Sequence, residues 1–205
     1  MTNISDIKLI GSSICLDFVN TVHDRSLPDS ADYIGGGSAS LLAWCAYAGV
    51  WDKAMITKLQ AQENDEAAQS KVYQKALELR AILFNLFSAL ADSAPLPAAD
   101  LSDFNHFLSE TLVHKRVVAD GAQLVSAWDL PAYRADLVLW PIVEAAYGLL
   151  TGGDYERIKK CPACGWVFID KSKGGRRRWC SMDTCGTLDK SRRYYHGKVK
   201  DQQTK

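Results

Sequence analysis

Two close pairs of cysteines near the carboxyl-terminal end of the 205-residue chain are the residues best suited to chemistry. Cys161 and Cys164 form the first pair, Cys180 and Cys185 form the second, and fifteen residues separate the inner cysteines. Two pairs at this distance are typical of a tetrahedral site in which four thiolates hold Zn²⁺. Because four cysteines leave no coordination position for water or substrate, we expect one structural zinc ion per chain.

The residues next to these cysteines fit such a site. Gly165 and Gly186 each follow the last cysteine of a pair, where we expect a turn with positive φ. Residues 166–169 are apolar and predict a short strand that forms a floor under the metal. The other two cysteines, Cys15 and Cys45, lie in apolar surroundings, so we expect them to be small core residues.

Charge divides the chain at the same place as the cysteines. Residues 1–155 contain 10 Lys and Arg against 19 Asp and Glu, whereas residues 156–200 contain 13 against 4, although the whole chain has a net charge of zero. This asymmetry predicts an acidic body, residues 1–155, joined to a basic module, residues 156–205, that meets polyanions.

Aromatic residues are interleaved with the basic ones in this module, as at Trp179 and Tyr194, and this mixture favours nucleic acid, DNA before RNA. The alternative is a zinc-stabilised module that docks proteins or binds small molecules without touching nucleic acid. A homodimer is a further candidate assembly. The residues predicted to contact nucleic acid are Arg176, Arg177, Arg178, Lys190, Arg192 and Arg193. Residues 188–196 contain no helix breaker and predict a short helix that carries the last three.

Hydrophobic periodicity predicts that the body is mainly α-helical with one small β-hairpin. The clearest helix spans residues 69–91, and shorter helices are expected at 9–22, from Ser38 or Ser40 to Gly49, from Asp52, and from Asp100 or Ser102 to Leu112. Asp120-Gly121 predicts the hairpin turn. A last helix at 131–150 should be kinked or divided at Pro141. The expected fold is therefore an α-helical body followed by a zinc-ribbon-like module.

A group of polar residues near the amino-terminal end lies among apolar ones, and we consider two roles for it. Asp17 and Arg80 both occupy inward-facing positions, so they either pair with each other or line a wet pocket. In the second case the pocket would take a small effector, with Asn20 and Arg25 as polar contacts and Trp44 as a wall. We favour the pairing of Asp17 with Arg80.

The tail contains the motifs C-x-x-C-G-W-x-F-x-D-x-S and W-C-S-M-x-x-C-G with the run R-R-R between them, and the body contains I-C-L-D-F-V-N-T at 14–21 and L-R-A-I at 79–82. These motifs resemble those of the CGNR zinc-finger proteins, whose amino-terminal ABATE domain is described as a "putative stress-induced transcription regulator". The resemblance implies a bacterial regulator whose zinc finger binds DNA. In the family signature the last cysteine is followed by Gly-Asn-Arg, whereas here Thr187 and Leu188 follow Gly186. The absence of this Asn and Arg predicts a weak preference for particular bases.

Several classes of protein are not expected from this sequence. It contains none of the common nucleotide-binding, serine-hydrolase or metalloprotease motifs, and Cys15 lies in an apolar run that disfavours a thiolate, so we expect no enzyme. No segment is long and apolar enough to span a membrane. The first ten residues do not resemble a secretory signal, so we expect a cytoplasmic protein.

Overall fold

The computed structural model describes residues 3–61, 65–130, 135–191 and 194. Its helices are α1 (Ile14–Val19), α2 (Ser38–Ala48), α3 (Lys53–Ala61), α4 (Glu66–Ala91), α5 (Ala98–Leu112) and α6 (Trp140–Thr151). Its strands are β1 (Lys115–Asp120), β2 (Gln123–Trp128), β3 (Ile158–Lys160) and β4 (Val167–Ile169). Short 3₁₀ turns lie at Ile4–Asp6, Ala135–Leu139 and Gly153–Arg157, and a wide helical turn lies at Met182–Gly186. The fold is thus mainly α with two small antiparallel sheets, as expected.

Helix α4 is the central element of the fold. Asp65 caps its amino-terminal end, where the carboxylate accepts a hydrogen bond of 3.0 Å from the backbone N–H of Ala68. Ala76, Leu79 and Leu83 recur along one face at helical spacing and are fully buried. Helices α1, α2 and α5 and strand β3 pack around α4, so it contacts both the early helices and the first strand of the zinc module.

The hairpin of β1 and β2 is confirmed, but its turn lies one residue later than predicted. Asp120 still belongs to β1 and pairs with Gln123, so the two-residue turn consists of Gly121 and Ala122 instead of Asp120 and Gly121. Gly121 adopts a φ of 58°, a left-handed conformation that glycine enters without steric cost. Val117 and Leu124 project largely into solvent from this hairpin.

Two predicted helix starts were wrong. Gly37, not a serine, precedes α2, and Ser38 is already helical. Pro97 precedes α5, so that helix starts before Asp100. The predicted division of the last helical stretch near Pro141 is confirmed, because the 3₁₀ turn at Ala135–Leu139 is followed by a separate helix, α6. Pro141 lies in the first turn of α6, where its missing N–H breaks no intrahelical bond. Residues 131–134, part of the same prediction, lie outside the described residues.

The hydrophobic core continues across the predicted boundary near residue 155. Phe18 and Val19 of α1 and Leu79 of α4 belong to the same buried cluster as Val167 and Phe168 of β4. Strand β3 packs on α4, and β4 contacts both α1 and α4. The zinc module is therefore packed into the helical body. Among the described residues, no helix is both long enough and apolar enough to cross a membrane.

Candidate metal centre and basic groove

The four cysteines of the tail converge on one point. Their Sγ atoms all lie within 4.8 Å of one another, with 3.6 Å between Cys164 and Cys180 and 3.5 Å between Cys180 and Cys185. With Zn–S bonds of about 2.3 Å, the sulfur atoms of a tetrahedral site lie about 3.8 Å apart. All four side chains are buried, and none of the six cysteines forms a disulfide. The donor set and its spacing therefore fit one Zn²⁺ with a closed coordination shell.

The two cysteine pairs lie on turns of different kinds. In the first, the backbone N–H of Gly165 donates to Cys161 O (2.9 Å), and Gly165 has a φ of 75°, as predicted. The second pair lies around the wide helical turn, and Gly186 does not adopt positive φ there. Instead Gly186 is buried close to Met182, whose Sδ would lie 2.7 Å from an added Cβ. The prediction for Gly186 was therefore wrong, because close packing explains this glycine.

Asn20 joins the zinc module to the helical body. This side chain is 1% exposed, its Nδ2 donates to Val167 O (2.8 Å), and its Oδ1 accepts from Val167 N–H (3.0 Å). The amide thus takes the place of a neighbouring strand along β4. The indole N–H of Trp166 donates to Val22 O (2.7 Å), and the N–H of Arg25 donates to Cys164 O (2.9 Å). Four hydrogen bonds from the segment that follows α1 therefore hold three residues of the zinc module, Cys164, Trp166 and Val167.

Asp170 organises the loop between the two cysteine pairs. Its buried carboxylate lies 2.8 Å from Lys159 Nζ and accepts hydrogen bonds of 2.9 Å from the backbone N–H groups of Ser172 and Arg177. These contacts, with Lys159 first, hold the pKa of Asp170 well below its usual range. The carboxylate therefore stays ionised and fixes the start and end of the basic loop.

Arg177 lies in the lining of the same basic groove as Arg176 and Arg178, but its guanidinium also contacts the module itself. Its Nε donates to Trp179 O (3.0 Å), its guanidinium also donates to Cys180 O, and it lies 4.5 Å from the ring centre of Phe168. The side chain is half-buried. Arg177 thus braces the backbone that enters the second cysteine pair, with its Nε–H and one terminal N–H already donated to backbone carbonyls.

Arg176 and Arg178, by contrast, are exposed and flank a groove of about 380 Å³. Lys159 and Lys160 of β3 line the same groove, together with Asp92 at the carboxyl-terminal end of α4, which pairs with Lys160. Sequence reasoning missed both lysines. The available signal was their position directly before Cys161, since a strand that leads into a metal site must present its side chains beside that site.

The remaining predicted cations lie beyond the second cysteine pair. Lys190 is exposed within a helical stretch at residues 187–191. Arg192 and Arg193 lie outside the described residues, as do Tyr195 and His196, so only the beginning of the helix predicted at 188–196 is described.

The predicted pairing of Asp17 with Arg80 was wrong. Arg80 forms a two-point ion pair with Asp32, at 2.8 and 2.6 Å, and also donates to Thr21 Oγ1 (2.8 Å). Asp17 instead accepts a 2.7 Å hydrogen bond from the N–H of Gly11. Burial raises the pKa of Asp17 to about 6, against the lowering effect of its backbone hydrogen bonds. Asp32 lies in a loop without periodicity, which is why sequence reasoning overlooked it.

Arg25 and Trp44 also have structural positions. The guanidinium of Arg25 lies 3.8 Å from the ring centre of Phe84 and donates to Val19 O (2.6 Å). Burial lowers the pKa of Arg25 to about 10. Trp44 is fully buried, with its ring 5.4 Å from that of Phe18. The described contacts of these residues join elements of the fold: Arg25 joins the segment after α1 to α4, and Trp44 joins α2 to α1.

Comparison with known proteins agrees with this architecture. The family model for ABATE, described as "Putative stress-induced transcription regulator", matches residues 12–153, and the model for the CGNR zinc finger matches residues 157–198. No curated protein matches the chain. The zinc-finger match and the cysteine geometry together assign one structural zinc ion to the four cysteines. The chain belongs to the ABATE family and ends in a CGNR zinc finger.

Proposed function

We propose that this protein is a transcription regulator that binds nucleic acid, DNA before RNA, through the basic surface of its zinc module. The observation that carries the proposal is the groove beside the metal centre, where Arg176 and Arg178 flank a floor that contains Lys159 and Lys160. Cations grouped along a groove provide the sequence-independent attraction for phosphates that dominates nucleic-acid affinity.

The charges in this groove are unequally available. Lys159 and Lys160 are each paired with a carboxylate, on Asp170 and Asp92 respectively. The side chains of Arg176 and Arg178 have no hydrogen bond or ion pair to another described residue, although Arg178 lies 5.2 Å from the ring centre of Trp179. These two arginines are therefore the best placed to contact phosphates, whereas Arg177, which lines the same groove, also holds the backbone at Trp179 and Cys180.

The zinc ion gives this surface its rigidity. In small modules of this kind most of the free energy of metal binding stabilises the fold, so the conformation of the loop that carries the arginines depends on the metal. The closed four-cysteine shell leaves no position for a substrate, and burial raises the pKa of the Cys15 thiol to about 12, which disfavours a nucleophilic thiolate. Both observations support a role in binding instead of catalysis.

The proposal can be tested by measuring binding of the zinc-loaded chain to random-sequence DNA duplexes at several salt concentrations. If four to six cations meet phosphates, log affinity should fall with log salt at a slope of about −4 to −5. Arg176→Glu combined with Arg178→Glu should weaken binding at least tenfold on every duplex and make the slope shallower, because phosphate contacts carry no sequence information.

Lys58→Glu combined with Lys71→Glu provides the matched control, since both lysines are exposed and the change in net charge is the same. Lys71 lies about 30 Å along α4 from the groove at Ala91. The control pair should retain most of the affinity. Equal losses in the two variants, or no binding to duplex or single-stranded DNA or RNA at low salt, would refute the proposal.

A further inference from the structure

A second cavity lies between the helical body and the zinc module, on residues that the basic groove does not use. Its volume is about 190 Å³ among the described residues. Ile10 and Tyr33 contribute to it from the body, and Trp166 and Leu188 from the module. An apolar cavity of about 150 Å³ is large enough for benzene, so this one has room for a small single-ring molecule.

The aromatic side chains of this cavity have already used their polar atoms. The indole N–H of Trp166 donates to Val22 O (2.7 Å), and the hydroxyl of Tyr33 lies 3.1 Å from Nδ1 of His23, within hydrogen-bond distance. Trp166 and Tyr33 are 7% and 5% exposed, so they are fixed by packing. What they offer a ligand is ring surface, which attracts apolar groups and organic cations.

The charges around the cavity are mainly negative. Asp6 and Asp24 lie in its lining, and so do Cys164, Cys180 and Cys185. Four thiolates around one Zn²⁺ carry a formal charge of −2. Lys8 and His23 are the only basic residues of this lining, and the balance remains negative even when His23 is protonated. The pKa of Tyr33 is raised, first by burial and then by the negative charge of Asp6, so the phenol experiences part of this negative charge.

We propose that this cavity binds a small organic cation, an amine or guanidine carried on an apolar or aromatic skeleton. The ring surfaces of Trp166 and Tyr33 would pack on the skeleton, and the carboxylates of Asp6 and Asp24 would face the charge. The site is independent of the proposed nucleic-acid surface, since the two share no lining residue. Because both parts of the chain line it, a ligand there stabilises the contact between them.

The test uses three probes with one skeleton and different charges: phenethylamine, 2-phenylethanol and phenylacetate. Binding of each to the full-length, zinc-loaded chain is measured by isothermal titration calorimetry at low salt. We expect phenethylamine to bind at least tenfold more tightly than 2-phenylethanol, and phenylacetate to bind most weakly. An alcohol or carboxylate that binds as tightly as the amine, or no binding of any probe at millimolar concentration, would overturn the proposal.

Two carboxylate variants test the location of the site. Asp24→Asn keeps the oxygen that accepts from Ser26 and removes only the charge, and Asp6→Asn removes the second charge. Together they should lower phenethylamine affinity at least tenfold while 2-phenylethanol binding stays unchanged. Asp103→Asn with Asp154→Asn, two exposed carboxylates outside the cavity, should leave both affinities unchanged. Equal effects of the two pairs would show that the amine responds to overall charge, and the proposal would fail.

Discussion

Replacement of Asn20 by alanine should destabilise the whole chain. The change removes two hydrogen bonds and leaves the N–H and C=O of fully buried Val167 without their partner. An unsatisfied buried polar group costs about 1–3 kcal/mol, so we expect the free energy of unfolding to fall by about 2–4 kcal/mol. For a chain of this size, each kcal/mol lowers Tm by about 2–4 °C, which gives a total of roughly 5–15 °C.

Asn20→Asp tests the hydrogen bonds with little change in the shape of the side chain. The aspartate retains an acceptor for Val167 N–H but places a carboxylate oxygen against Val167 O, where Asn20 now donates. We therefore expect a loss of stability at pH 7 at least as large as that of the alanine variant. Asn85 on α4 provides the matched control because it is exposed and bonds only to the carboxylate of Asp100.

Urea unfolding followed by circular dichroism measures the loss, and release of zinc to a chromogenic chelator measures the effect on the metal centre. Since Val167 lies three residues after Cys164, zinc release should be several-fold faster from both Asn20 variants. Asn85→Ala should change the free energy of unfolding by less than about 0.5 kcal/mol. An Asn20→Ala variant that unfolds and releases zinc like the parent would refute the role assigned to this amide.

Removal of zinc should lower the urea midpoint of the helical signal, because the module shares its core with α1 and α4; an unchanged helical transition would contradict this coupling. Asp17 binds its proton more tightly in the folded state, at a pKa of about 6, than in the unfolded state, so its contribution to stability falls as pH rises from about 4 to 6. Asp17→Asn should abolish that decline, which unfolding titrations at a series of pH values measure. If the free energy of unfolding of this variant still fell in the same way between pH 4 and 6, Asp17 would not be the cause. Arg80→Met should lower the free energy of unfolding by about 2–4 kcal/mol, because it leaves Asp32 unpaired, and this loss should add to that of Asp17→Asn. A coupling energy above about 1 kcal/mol between the two substitutions would indicate direct contact between Asp17 and Arg80. Arg177→Ala should accelerate zinc release, measured with the same chelator, whereas Arg178→Ala should not; equal rates would contradict the bracing role of Arg177.

The features that sequence reasoning predicted correctly depend on neighbours along the chain. The spacing of the four cysteines, the hairpin around Gly121 and the apolar stripe of α4 are all local patterns, and the structure confirms each of them, with the hairpin turn shifted by one residue. Local patterns are informative because metal geometry, turn conformation and helix periodicity each restrict residues that lie within a few positions of one another.

The two side-chain partnerships that were missed in the helical body join distant residues. Asn20 meets Val167 across 147 positions, and Arg80 meets Asp32 across 48, so no spacing rule connects them. Asp17 and Arg80 were paired because both face inward, but several acidic residues could reach the guanidinium. Arg177 was grouped with its exposed neighbours, although it is half-buried and donates to the backbone carbonyls of Trp179 and Cys180.

The hydrogen bonds between the segment after α1 and the first cysteine pair have a consequence for the synthesis of the protein. The ribosome adds Asn20 long before Val167. The side-chain amide of Asn20 and the apolar face of α1 therefore lack their partners in β4 until most of the chain has been synthesised. Contacts of such high sequence separation form late and slowly. Until the cysteines leave the ribosome and capture zinc, the nascent helical body exposes the core surface that β4 later covers, and this is the species that chaperones would recognise. The supply of zinc during translation should therefore determine how much of the protein accumulates in folded form.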